Sequence, residues 1–260
     1  MIIDLHSHLI PGVDDGAQGI EDSLKLAKQA VEEGIEHLVL TPHHNNGRYV
    51  NHAKEVVEAA EQLQDVLDQE GIPLQVYPSQ EIRINEDLID QLLNRDLLSL
   101  DDGGKYYLIE FPTASVPGFS QSIISQLINR GITPVIAHPE RNHIFAKDID
   151  LYASYIEMGC LGQLTTSSMA GAFGDFIQEV SINMVERGLV HILASDAHSV
   201  DWRPFNTQAG FKVLEEKFES RKVQEFKENA RTIFNGEEIT KVQQIISPKK
   251  EKKKKWFGLF

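Results

Sequence analysis

Five times along the chain a helix-like stretch ends in glycine and gives way within a few residues to a short apolar run. The pairs are Gly34 before HLVLT, Gly71 before LQVY, Gly131 before PVIAH, Gly159 before LGQLT and Gly188 before VHILAS. Glycine just past a helix end adopts the left-handed conformation at little steric cost. With the opening IIDLH and the YYLIEF run at 106–111, seven short strands are predicted, most of them separated by helix-length segments at 20–33, 52–70, 120–130, 147–158 and 175–187. Strands alternating with helices imply a parallel sheet with helices outside it, as an open doubly wound sheet or a closed barrel.

The polar residues choose between the two. Nearly every strand is followed at once by an acid or a histidine: His6 and His8, His43, Glu81, Glu110 on the fourth strand, His138, then Asp196 and His198. In a barrel the carboxyl ends of all strands converge on one face, whereas an open sheet builds its site in a crevice served by few strands. A distorted (β/α)7 barrel of the TIM type is therefore expected, with its site at the carboxyl ends. Glycine-rich phosphate loops of the GxGxxG or GxxxxGK[ST] kind are absent, which removes the usual nucleotide-binding readings.

A chain of 260 residues with 41% hydrophobic content can bury one sizeable core, and no apolar stretch approaches the length of a membrane span. Cys160 is the sole cysteine, and the first strand starts too early for a signal peptide to precede it, so a cytoplasmic protein is expected. Charge is unevenly placed. The formal net charge is −14, yet residues 249–260 (KKEKKKKWFGLF) hold six Lys and one Glu, which leaves −19 on the other 248 residues. An acidic body argues against nucleic acid as the main partner. The tail, taken as a separate segment from 247 to 260 after a domain spanning 1–246, has two readings: a solvated end, or a basic-aromatic contact with an anionic membrane surface at the inner leaflet.

His6 and His8 lie two apart on an extended chain, so both imidazoles point to one side and can grip one ion. With Asp15, His43, Glu81, Glu110, His138, Asp196 and His198 the candidate set is five histidines and four carboxylates without a thiolate, which suits Mn, Fe or Zn. Nine ligands exceed one ion's needs and point to two or three, with a carboxylate able to bridge. By contrast His37 and His191 begin apolar strands, His52 sits in a helical stretch, and His44 and His143 lie in loops, so these five read as structural or solvated. Cys160 has neither a preceding His nor an Arg six places on, and a thiol phosphatase is excluded.

D-L-H-S-H at the start, V-D-D-G at 13–16, T-P-H at 41–43, Q-E-I at 80–82, L-I-E-F at 108–111, A-H-P-E-R at 137–141 and A-S-D-A-H at 194–198 together resemble the polymerase-and-histidinol-phosphatase (PHP) superfamily. H-P-E-R with D-W-R-P at 201–204 narrows the likeness to the metal-dependent tyrosine-protein phosphatases of Gram-positive capsule and exopolysaccharide clusters, over about residues 1–240. The resemblance implies the PHP fold and three divalent ions, usually manganese. His6, His8, Glu81 and Asp196 would hold one; Glu81 as a bridge, Glu110 and His138 a second; Asp15, His43 and His198 the third. Arg141 and Arg203 match the arginines that bind phosphate.

Such a site implies hydrolysis by water acidified between two cations, and the resemblance implies a phosphotyrosyl substrate, an autophosphorylated membrane-associated tyrosine kinase. Three rivals stand beside this reading. They are a PHP phosphoesterase acting on a small phosphomonoester such as histidinol phosphate, an amidohydrolase, and a noncatalytic metal-binding scaffold of a kinase complex. The amidohydrolase reading expects a bridging Lys where Glu110 stands.

Overall fold

The structure, a computed structural model, describes residues 1–239. The basic-aromatic tail and the boundary placed at 246 lie outside the described residues. All five helix-ending glycines take positive φ, from 66° at Gly71 to 113° at Gly159, as the alternation requires.

Seven parallel strands close into a distorted barrel, and two of them are interrupted. The first is β1 (Ile2–Ser7); the second is split into β2 (Ile35–Leu40) and β3 (His43–His44), and the third into β4 (Gln75–Pro78) and β5 (Glu81–Arg83). The remaining four are β6 (Tyr106–Glu110), β7 (Thr133–Ala137), β8 (Leu161–Thr165) and β9 (Ile192–Ala194). β1, β2 and β4 pair side by side, and β3, β5, β6, β7, β8 and β9 follow in order. Closure comes where β9 runs on against the end of β1: Asp196 N–H donates to the His6 carbonyl at 2.8 Å and His8 N–H to the Ala197 carbonyl at 2.9 Å. The breaks fall at Thr41–Pro42 and Ser79–Gln80, and each short second piece carries a candidate ligand, His43 or Glu81, whose Cα atoms pair in register.

Helices α1 (Ile20–Glu32), α2 (Ala53–Gln69), α3 (Leu88–Leu93), α4 (Ser120–Ile128), α5 (Ile149–Glu157), α6 (Thr166–Met169) and α7 (Asp175–Glu186) follow the strands. The long α8 (Thr207–Phe234), interrupted at Glu219, was not among the segments read from the alternation. Ile3, Leu5, Val39, Leu108, Val135, Leu161 and Ile192 fill the barrel interior, and Ala230 and Ile233 of α8 join the same apolar cluster. Asn229 of α8 donates to the His191 carbonyl at 2.9 Å and Tyr106 donates to the Glu237 carbonyl at 2.6 Å, both beside strand starts. The last turns of α8 thus cover the amino-terminal end of the barrel and leave the carboxyl end open. Among the described residues no helix is long and apolar enough to cross a membrane.

Cys160 stands just before β8 at that closed end, 2% exposed among Tyr155, Ile156 and their neighbours, and burial pushes its thiol up. His191 is equally enclosed, and its Nδ1 accepts the Gly162 N–H at 3.0 Å. Burial holds its imidazole down to about 4. The folded chain keeps His191 neutral while the unfolded chain protonates it below about 6.5, so its stabilising contribution is complete above that pH and is lost as pH falls towards 4. Urea unfolding at pH 7 and pH 5 should show the native protein losing roughly 2 kcal/mol more than His191→Asn over that interval. Equal losses would contradict the assignment.

Candidate metal centre

Local backbone features aim the strand ends inward. An extra residue in β1 between Asp4 and Ser7, opposite β2, re-aims the strand, so that Leu5 belongs to the barrel interior while His6 opens the polar cluster. The Asp4 carboxylate accepts the N–H of Ser195 at 3.0 Å and of His6 at 3.2 Å, tying β1 to β9; burial pushes it up to about 6. His138 and Asp196, the residues that follow β7 and the Ser195 step, both take left-handed backbone, φ 30° and φ 54°. Such conformations are uncommon outside glycine and concentrate at functional sites. Gly16 packs so closely on His8 that a Cβ there would be driven into the His8 carbonyl oxygen and Cβ.

All nine sequence-derived candidates meet at the carboxyl end. His6 Nε2 and His8 Nε2 lie 3.1 Å apart, and each is 3.4 Å from Glu81 Oε2 and 3.4 Å from Asp196 Oδ1. Glu81 Oε1 is 2.7 Å from His138 Nε2, and its Oε2 is 2.8 Å from His43 Nδ1. His43 Nδ1 is also 3.7 Å from Glu110 Oε2. Asp15 Oδ1 reaches His43 Nε2 at 3.3 Å and His198 Nε2 at 3.6 Å. Three groups have donor atoms close enough for a common cation: His6, Glu81, His138 and Asp196; His43, Glu81 and Glu110; His8, His43 and His198. Glu81 and His43 each belong to two groups. His6, His8, Glu81 and Asp196, the set the resemblance places on one ion, are also in mutual reach, and His138 stands close to His6 as well as to Glu81.

The donor set fits divalent cations on an observation independent of motif. Asp15 Oδ1, His43 Nδ1, Glu81 Oε2, Glu110 Oε2, Asp196 Oδ1 and His198 Nε2 are all buried without a hydrogen-bond partner. Buried polar atoms are otherwise nearly always paired. Burial pushes Glu81 up, yet His43, His6 and His138 outweigh it and hold the carboxyl well below its usual range. Burial and the neighbouring Glu81 charge push Glu110 up, and burial with the charge of His8 takes His198 down to about 4.

Partners behind the ligands set ring orientation. His6 Nδ1–H donates to Gln163 Oε1 at 2.9 Å, His8 Nδ1–H to Asp14 Oδ2 at 2.6 Å, and His198 Nδ1–H to the Asp196 carbonyl at 2.9 Å. Each bond turns Nε2 toward the cluster, the arrangement that orients metal-binding imidazoles. Asp14 also accepts the N–H of Gly16 at 2.8 Å and of His43 at 3.1 Å. Neither Asp14 nor Gln163 was singled out in the sequence; the doubled acid of V-D-D-G was the signal for Asp14.

A cleft of about 450 Å³ opens over the cluster, lined by Asp15, His43, Glu110, His138 and the guanidiniums of Arg83, Arg141 and Arg203. Arg141 and Arg203 both donate to Asp196 Oδ2, and Arg83 Nη2 lies 2.8 Å from Glu110 Oε2. Arg83 was not anticipated.

The family described as capsular polysaccharide synthesis, CpsB/CapC, matches residues 2–235. The chain belongs to the CpsB/CapC family. Tyrosine-protein phosphatase YwqE of Bacillus subtilis (strain 168) is 42% identical over 259 residues, covering 100% of both chains. CapC of Staphylococcus aureus is 34% identical over 258 residues, covering 99% of this chain and 100% of its own. A solved structure, from work described as crystal structures of YwqE from Bacillus subtilis and CpsB from Streptococcus pneumoniae, unique metal-dependent tyrosine phosphatases, superposes with a TM-score of 0.91 at 42% identity. It covers 95% of this chain and 100% of that chain.

Within this CpsB/CapC member, a carboxylate shared between two ligand groups should affect more than one ion. Glu81→Gln is expected to lower manganese stoichiometry by at least one ion per chain in elemental analysis, and His52→Ala, whose exposed ring pairs with Asp96 at 2.7 Å, should not. Unchanged stoichiometry in Glu81→Gln would remove Glu81 from the centre.

Proposed function

We propose that this chain is a metal-dependent protein-tyrosine phosphatase that removes phosphate from a membrane-associated bacterial tyrosine kinase controlling capsule or exopolysaccharide synthesis. The observation that carries the reading is the convergence of buried carboxylate and imidazole donors that make no hydrogen bond, directly beneath a cleft holding three guanidiniums. In this reading His6, His8, Asp15, His43, Glu81, Glu110, His138, Asp196 and His198 hold three divalent cations, manganese first and iron or zinc next. The PHP-type domain runs from 1 to 246, and the protein works in the cytoplasm. Peripheral contact with the inner face of the membrane through residues 249–260 belongs to the same proposal.

Bound divalent cations supply Lewis-acid charge to the phosphoryl oxygens and a water of lowered pKa as nucleophile. The chain's own residues do the rest. Arg141 and Arg203 present guanidiniums that can clamp phosphate oxygens bidentately, on the Asp196 side of the cleft, and Arg83 stands on the Glu110 side. Arg141 is itself held over the Phe173 ring at 5.2 Å from its centroid, and the half-buried Phe173 gives the cleft a ring against which a tyrosyl side chain can pack. Cys160, at the far end of the barrel with its thiol pushed up by burial, takes no part.

The test is a parallel assay of manganese-loaded protein against phosphotyrosyl peptide, phosphoseryl peptide and histidinol phosphate, with a chelated control. Turnover should favour phosphotyrosine and vanish on chelation. Arg141→Ala should lower kcat/KM by about 1.5 to 3 kcal/mol equivalent, the scale of a charge-assisted hydrogen bond. Preference for histidinol phosphate, or turnover that survives chelation, would overturn the reading.

A further inference from the structure

A second cleft, of about 680 Å³, lies on the other side of Asp15 from the first. Asp15 lines both, His43 lines the first and His198 the second, so the ligand cluster sits on the saddle between them. None of the three guanidiniums facing the first cleft lines the second. Its walls carry instead Arg48 and Tyr49 from the loop after β3, Trp202 from the loop after β9, and Lys25 from α1.

The two aromatic residues extend the surface of the cluster outward. Tyr49 stacks nearly parallel to His43, with centroids 6.3 Å apart and planes 8° apart, and Trp202 lies 6.1 Å from His198. Trp202 nevertheless leaves 58% of its surface in water. Tryptophan and arginine are the residues that most often anchor a partner chain. Arg48 is held in place. Asn46 Oδ1 accepts the N–H of Arg48 at 3.0 Å and of Tyr49 at 2.9 Å, and the guanidinium lies 4.9 Å from the Tyr49 ring centroid. It has no carboxylate partner among the described residues. Of the acids in the same cleft, Asp15 faces His43 and His198, Asp22 pairs with Lys25 at 3.5 Å, and Asp201 stands exposed.

We propose that this second cleft docks the polypeptide flanking the phosphotyrosine, as an extended segment bearing an acidic side chain for Arg48 and lying against Trp202. The proposal rests on the phosphatase reading above and adds to it what the substrate must be. A small phosphomonoester fills the first cleft alone, whereas a phosphotyrosyl chain seated there crosses the saddle and spends the unpaired charge of Arg48. Arg48 and Trp202 are specificity residues here and take no part in phosphate release.

The experiment compares manganese-loaded full-length protein with Arg48→Glu and Trp202→Ala. Substrates are p-nitrophenyl phosphate and two phosphotyrosyl peptides that differ only in carrying Glu or Lys beside the phosphotyrosine. Arg48→Glu should hydrolyse p-nitrophenyl phosphate as the native protein does, and Trp202→Ala, whose ring also lies 5.8 Å from the Arg203 guanidinium, should lose less on it than on the Glu peptide. On the Glu peptide both variants should lose about tenfold in kcat/KM, mostly through KM, the scale of losing an anchoring aromatic or arginine contact. Arg48→Glu should also invert the preference toward the Lys peptide. Native-like kinetics of both variants on both peptides, or equal losses on the peptides and on p-nitrophenyl phosphate, would overturn the docking site. A native protein that hydrolyses neither phosphotyrosyl peptide would overturn the parent reading instead.

Discussion

Six buried donor atoms that make no hydrogen bond, from Asp15, His43, Glu81, Glu110, Asp196 and His198, crowd together at the carboxyl end of the barrel. Desolvated carboxylates and imidazoles in such numbers are costly unless opposite charge or a cation satisfies them. Imidazoles and carboxylates stand in direct contact, with Glu81 touching His6, His8, His43 and His138 at once. Those contacts involve the lone pairs that ligation needs, and a shared cation is the partner that satisfies several of them together.

Much of the fold can be understood as what holds this cluster in place. The Asp4 carboxylate ties β1 to β9 where the barrel closes, and the β1 bulge brings His6 to the axis. The left-handed turns at His138 and Asp196 swing side chains inward at the price of backbone strain. Asp14 and Gln163 lock two imidazoles from behind. The opposite end is closed by α8 and packed with apolar side chains, so polar chemistry and apolar stabilisation are separated along the barrel axis.

Alternation of strands with Gly-terminated helices made the barrel legible, because period and helix stops are local properties of the chain. Eight of the nine candidates were legible because they stand at or shortly after strand ends, Asp15 came from the V-D-D-G loop after β1, and the structure gathers them all. Other features depend on tertiary contact and left weaker traces. The breaks in the second and third strands sit at Thr41–Pro42 and at Ser79–Gln80, at or past the ends of the apolar runs HLVLT and LQVY, so the short pieces β3 and β5 beyond them gave no strand signal of their own. Gln163 lies on an ordinary apolar strand and acquires its role only when β8 stands across the barrel from His6. Arg83 gives no signal until Glu110 is beside it. V-D-D-G offered two acids, and both are used: Asp15 faces His43 and His198, and Asp14 backs His8. α8 carries an interrupted pattern because Glu219 divides it into two helices with different buried faces.

The most direct test of the central claim is anomalous diffraction at the manganese edge from crystals grown with that ion. The account predicts peaks among His6, Glu81, His138 and Asp196, among His43, Glu81 and Glu110, and among His8, His43 and His198, with Glu81 in contact with more than one ion. Crystals that bind manganese elsewhere, or that keep the direct imidazole–carboxylate contacts with no anomalous peak at this end of the barrel, would contradict it.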